Sequence, residues 1–238
     1  MDTYSQPGEI RFRVGSIPVV IQPYFWLTAV ILSSGWFNME PRPWPVFTFI
    51  LGVFVSILFH ELGHAWAGMA FGARHLLIRL TGMGGEAVGA NISSHWWKRV
   101  LVTFAGPAIQ LALAGLLHVL IFRTEFLGKE HPIFAIFIFQ VYLVSLLWGL
   151  INLIPIFPLD GGSIVLEILQ RVIPNQSEKL SALLSICLLI GIIYYVYNFA
   201  NQYFSIFNML ILGLLAITNL ERLQRATARR DDSADWRS

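Results

Sequence analysis

Phe59-His60-Glu61-Leu62-Gly63-His64 lies inside an apolar run, Val46 to Phe71, long enough to cross a membrane. Two imidazoles and a carboxylate are costly there. On insertion scales a central Asp, Lys or Arg costs roughly 2.5–3.5 kcal/mol, so ionisable groups at that depth are paired, metal-bound or functional. The run predicts a helix. In it His60 and His64 are i and i+4, and both rings leave one face, roughly 5–6 Å apart at Cβ. That spacing suits two histidine ligands on one metal ion, and Glu61 can reach a water held by the ion without ligating it. The plainer alternative is two core histidines and a stray glutamate, which would leave three polar groups to be satisfied in an apolar span.

Composition agrees with a membrane setting. The 238 residues are 56% hydrophobic and 13% charged, against about 25% charged in soluble proteins. This excludes a soluble enzyme with a large core and predicts a polytopic, all-α membrane protein. We expect about six transmembrane helices, with small membrane-associated β-hairpins, in a single domain spanning 1–238. The one cysteine, Cys187, offers neither an internal disulfide nor a thiolate metal cluster. Met1 to Val14 lacks the apolar region of a cleavable signal.

Glu9 to Ile21 reads as a hairpin at the membrane surface. Ile10, Phe12 and Val14 alternate with polar residues, Gly15-Ser16 can turn the chain, and Val19-Val20-Ile21 can pair back. The expected spans are 24–36, 46–71, 100–122, 133–154, 180–197 and 203–220, followed by a charged tail, 221–238. The first is short for a crossing that needs about 20 residues. Between the second and third, Arg74 to Ser94 reads as a glycine-rich hairpin or bulged strand pair. Ala105-Gly106-Pro107 breaks the third span and allows close helix approach. After the fourth, Ser163 to Val172 reads as a short helix capped by Ser163.

Six spans place both termini on one side. Of the 16 Lys and Arg, only Arg42, Arg123 and Lys129 fall on the other side. The positive-inside rule therefore puts both termini in the cytoplasm, in what we expect to be a bacterial or archaeal cytoplasmic membrane. The basic tail reads as an orientation signal, not a nucleic-acid contact. His60 and His64 then lie in the cytoplasmic half of the second span, and Asp160 near the cytoplasmic end of the fourth.

A catalytic zinc takes three protein ligands and keeps a position for water. The other histidines are His75, His95, His118 and His131; His75 and His95 are on the side that topology requires. Among carboxylates, Asp160 stands out, after Pro155 and Pro158 and before Gly161-Gly162. A helix broken at membrane depth must face protein or a water-filled cavity.

His60-Glu61-Leu62-Gly63-His64, with Asn152-Leu153-Ile154-Pro155 to Leu159-Asp160-Gly161, resembles the site-2 protease family of intramembrane zinc metalloproteases. Ala105-Gly106-Pro107 resembles it too, and the likeness covers roughly Ile10 to Leu220 in the compact form without PDZ or CBS domains. The resemblance implies Zn2+ held by His60, His64 and Asp160, with Glu61 as catalytic base. It implies Asn152 close to the substrate, and a strand within Leu76 to Ala90 that pairs with an unwound substrate. Gly84 and Gly85 would let the backbone approach closely there. Gln110 stands where many members have Asn, a departure that bears on helix packing and not on chemistry.

The leading reading is therefore a zinc endopeptidase that cuts a single-span, membrane-anchored regulatory protein near its cytoplasmic end, within the lipid bilayer and with room for a regulatory membrane partner. The alternative is a catalytically idle pseudoprotease that binds membrane proteins; the intact Glu61 argues against it. A zinc transporter would need acidic or histidine groups along a path through the bundle, and the outer halves of the spans offer few.

Overall fold

Two hairpins and seven helices make up the computed structural model, which describes residues 7–36, 43–90, 95–123, 131–199 and 206–235. Residues 203–205 of the sixth expected span and 236–238 of the tail lie outside the described residues. The chain forms two compact units, Met1–Leu150 and Ile151–Ser238.

In the first unit, β1 (Ile10–Val14) and β2 (Ile17–Ile21) pair antiparallel across the Gly15-Ser16 turn. The alternation expected in β1 is partial, with Phe12 and Val14 half-buried and Ile10 exposed; in β2, Ile17, Val19 and Ile21 are buried. β3 (Arg74–Thr81) and β4 (Gly84–Ala90) form a second antiparallel hairpin. A register shift between Arg74 and Leu77, with His75 at φ 54°, marks a bulge. The two hairpins were expected separately. They are one four-stranded sheet, because β2 pairs parallel with β3, matching Val19 to Ile78 and Ile21 to Leu80. Nothing local in either stretch encodes a pairing between strands some 60 positions apart. What drives it is burial: Val19, Ile78 and Leu80 are fully buried against α2 in one core.

Four helices carry the rest of this unit: α1 (Pro23–Leu32), α2 (Trp44–Ala70), α3 (Trp96–Arg123) and α4 (Pro132–Asn152), whose last two residues belong to the second unit. Proline at the start of α1 and α2 costs no helical hydrogen bond there. Gly72, at φ 93°, follows the end of α2. The expected break in the third span is absent, since α3 runs continuously through Pro107. A membrane helix tolerates an internal proline where neighbouring groups satisfy the freed carbonyl. α2 is the most enclosed helix of the unit, with 56% of its apolar window buried against 28% for α3 and for α4. An enclosed helix is where ionisable residues at membrane depth belong.

The second unit holds α5 (Asp160–Val172), α6 (Ser177–Phe199) and α7 (Ile206–Asp235). Its core joins Ile156, Leu189 and Leu215. α5 starts at Asp160 with Leu159 at the cap position, so Ser163 is a turn inside the helix and not its cap. The extended backbone of Leu159, at ψ 160°, lets the helix begin three residues earlier than expected.

Four helices among the described residues are long and apolar enough to cross a membrane: Trp44–Ala70, Trp96–Arg123, Pro132–Asn152 and Pro174–Phe199. These match the second to fifth expected spans and mark an integral membrane protein. The first expected span is a ten-residue helix, about 15 Å long at 1.5 Å per residue, followed by a short 3-10 turn at Ser33–Trp36. α7 continues the last expected span into the charged tail as one helix.

Candidate metal centre

The site begins with a close helix contact. A Cβ at Gly63 would lie 2.5 Å from the Ala105 carbonyl oxygen and 2.9 Å from Gly106 Cα. Only small residues let α2 and α3 approach this far. The contact puts α3 directly beside the histidine pair, and a Cβ at Gly106 would fall on the imidazole of His64. The Ala105-Gly106-Pro107 stretch thus makes the cradle for a ring.

His60, Glu61 and His64 offer ligand-type atoms within 4.8 Å of one another. The tautomers follow from their partners. His64 Nδ1 is 2.9 Å from the Val102 carbonyl oxygen, and His60 Nδ1 is 3.0 Å from Gln110 Oε1. Carbonyl oxygens only accept, so each Nδ1 carries the hydrogen and donates it. In the neutral rings each Nε2 then carries a lone pair, and the two Nε2 atoms face each other at 3.0 Å. Two lone pairs at that distance repel. A cation between them turns the repulsion into two coordinate bonds, so the donor set fits a metal ion that accepts imidazole nitrogen, as zinc does.

Glu61 is buried, at 3% exposure. It lies under β4: a Cβ at Gly85 would occupy the space of the Glu61 carboxyl. Gly84, at φ 125°, opens β4 beside Trp148 of α4. The hairpin turn is tied down at its other side, where Thr28 Oγ1 of α1 donates to the Gly82 carbonyl at 2.9 Å. β4 has β3 on one side only, and among the described residues no strand pairs with its other edge.

Of the remaining histidines, His75 is at the β3 bulge, His95 precedes α3, and His118 packs its ring on Phe122 and Tyr142. His131 precedes α4.

Asn152 and Asp160 belong to the second unit. Asn152 ends α4 and is buried; Asp160 is in the first turn of α5, where a carboxylate is favoured by the helix dipole. The Leu153–Leu159 loop between them packs back on α5. A Cβ at Gly161 would collide with the carbonyls of Leu153 and Ile154, and one at Gly162 with the backbone of Ile156 and Phe157. The glycines after Asp160 are therefore required by close packing. Phe157 is held three ways. Asn219 Nδ2 donates to its carbonyl at 2.7 Å, its N–H donates to Ser185 Oγ at 3.1 Å, and the Arg222 guanidinium stacks 3.9 Å from its ring centroid. Replacing Asn219 with Ala leaves that carbonyl short of a donor, at a cost of about 1–3 kcal/mol. The expected drop in Tm is about 2–12 °C, read by thermal denaturation in detergent.

The profile of peptidase family M50 matches residues 128–192, the stretch that includes Asn152 and Asp160. A zinc metalloprotease of Methanocaldococcus jannaschii is 28% identical over 160 residues, 67% of this chain and 45% of that protein. Stage IV sporulation protein FB of Bacillus subtilis is 28% identical over 184 residues, 74% of this chain and 57% of its own length. In fold, the chain matches a site-2 protease from Methanocaldococcus jannaschii with a TM-score of 0.62 and 23% identity, over 90% of this chain and 95% of that one. The chain is thus similar to peptidase family M50 over residues 128–192, and its fold is that of a site-2 protease. It spans about half the length of the curated relatives it matches.

One residue looks different once the chain is folded. The sequence assigned Gln110 to helix packing; the structure puts its side chain on His60. A polar side chain alone in the apolar middle of α3 was the available signal, by the same rule that singled out His60 and His64.

Proposed function

We propose that the protein is a zinc endopeptidase that cuts the transmembrane segment of a single-span, membrane-anchored regulatory protein near its cytoplasmic end. The observation that carries this reading is the pair of facing His60 and His64 Nε2 atoms next to a buried Glu61, beneath the unpaired edge of β4. Residues 1–238 act as one membrane-embedded domain of six spans, with both termini in the cytoplasm.

His60, His64 and Asp160 hold the zinc. When bound, it supplies Lewis acidity, bringing a water's pKa to about 7 and polarising the scissile carbonyl. Glu61 takes a proton from the attacking water and delivers it to the leaving amine, and it does both from one position because the bond it serves lies within its reach. The substrate enters as a helix whose carbonyls are hydrogen-bonded internally, so it must unwind before it can be attacked. The free edge of β4 replaces those bonds by strand addition, and Gly84 and Gly85 keep that backbone close to Glu61. Asn152 holds the substrate strand or its developing oxyanion.

The test is cleavage of a single-span reporter by the purified full chain in proteoliposomes. We expect a cut inside the span, identified by mass spectrometry of the new termini. Chelation of zinc should abolish it and added zinc should restore it. Cleavage that survives chelation, or release of an intact reporter with no new terminus, would overturn the proposal; the second result favours the idle binding protein.

A further inference from the structure

We infer that Gln110, backed by Ser56 and Ser145, is a positioning residue that decides which nitrogen His60 presents to the metal. The inference rests on the reading of His60 as a metal ligand.

Gln110, Ser56 and Ser145 are each fully buried, at 0% exposure. Ser56 precedes His60 by four residues, so both side chains leave the same face of α2, one turn apart. A single side chain from α3 can therefore touch both, and Gln110 does. Its Nε2 donates to Ser56 Oγ at 2.8 Å and approaches the Ser56 carbonyl oxygen at 3.4 Å. Ser145 of α4 completes the chain, its Oγ donating to Ser56 Oγ at 2.9 Å.

These contacts orient the amide. The Ser56 carbonyl can only accept, so the NH2 end of Gln110 belongs on Ser56. Oε1 is then left to face His60 Nδ1 at 3.0 Å. As Oε1 can only accept, Nδ1 must carry the hydrogen and Nε2 must carry the lone pair that faces His64. The backbone of α2 thereby fixes the tautomer of its own histidine, by way of a side chain from the neighbouring helix. Reversing the amide would set NH2 against the Nδ1 hydrogen, and restoring a contact would require His60 to move that hydrogen to Nε2, where it blocks the metal. An asparagine at 110 is shorter by one methylene, about 1.5 Å. It cannot span Ser56 and His60 as these helices stand.

If Gln110 served only to join helices, its loss would lower stability and leave both the tautomer and the metal unchanged. The test uses the full chain in detergent with nitrogen-15 histidine. NMR of the metal-free protein reports which ring nitrogen of His60 carries hydrogen, and competition against a chelator reports zinc affinity. Gln110→Met keeps the length and removes the acceptor; Gln110→Glu keeps an acceptor. In Gln110→Met we expect His60 to populate both tautomers and zinc to bind about 10–100-fold more weakly, the usual effect of losing an outer partner of a ligand. His64, held by the Val102 carbonyl, should be unchanged, and Gln110→Glu should restore the Nδ1–H form. A Gln110→Met protein with His60 still in that single form and zinc affinity within about twofold of the parent overturns the inference. Should Gln110→Met not fold, Ser56→Ala decides. It weakens the anchor of the amide, so a second His60 tautomer is expected, and a single unchanged one overturns the inference. A parent chain that binds no zinc would refute the metal reading, while the tautomer comparison still judges Gln110 by itself.

Discussion

Gly106→Ala is expected to strip the protein of zinc while leaving it folded. The substitution adds one methyl group, and on an exposed helix it would be favourable, since alanine exceeds glycine in helix propensity by about 1 kcal/mol. At Gly106 the new Cβ falls on the His64 imidazole, at the atoms Nε2, Cε1 and Cδ2. The ring has no easy retreat. Its Nδ1 is bonded to the Val102 carbonyl, and Gly63 holds α2 against the backbone of Ala105 and Gly106, so the helices cannot part without breaking that contact. Overpacking of this kind costs typically about 1–3 kcal/mol, which a helix bundle survives. The lone pair of a displaced ring no longer meets that of His60, and a metal ligand must be placed to within about 0.5 Å. We expect zinc affinity to fall by at least about 10–100-fold, the range for merely disturbing an outer-shell partner. Metal analysis of the purified protein, with Tm measured alongside, reads the result. Gly115 provides the control: it lies on the same helix and a Cβ there meets nothing within 4 Å. Gly115→Ala should keep its zinc. A Gly106→Ala protein that retains a full equivalent of zinc would show that the ring is not held as described.

Helical spacing and hydropathy are local properties, and what they govern was legible in the sequence. The i, i+4 relation of His60 and His64, the apolar runs of α2, α3, α4 and α6, and the hairpin of β1 and β2 could all be read before any fold was known. Features that depend on two distant segments could not. The β2–β3 pairing that merges two hairpins into one sheet is one such case. Another is Gln110, whose meaning depends on the faces that α2 and α3 turn to each other. Pro107 misled for a related reason: taken alone it ends a helix, yet in the bundle it follows the glycine that admits the His64 ring, and α3 continues through it. The same stretch that looked like a break is the floor of the site.

Glu61→Gln should keep the zinc and lose the reaction. The two side chains have nearly the same volume, and Gln110 and the Val102 carbonyl hold the rings of His60 and His64 in either variant. Metal content should therefore match the parent. The amide cannot accept a proton, however, and a positioned general base contributes about 10²–10⁴-fold to rate. Cleavage of the single-span reporter in proteoliposomes should fall by that factor. Loss of fold is a poor explanation in advance, because the change removes a carboxylate from a buried position in an apolar helix, and burying charge is what costs. Tm should hold or rise, as it often does when a group kept for function is replaced by one that suits its surroundings better. Initial rate, zinc content and Tm on the same preparation separate the readings. A variant that cuts within about tenfold of the parent removes Glu61 from the role of base, since that is less than the smallest contribution expected of one. A parent chain that holds zinc, captures a membrane partner and never cuts it would instead mean that the facing histidines and their glutamate serve binding alone.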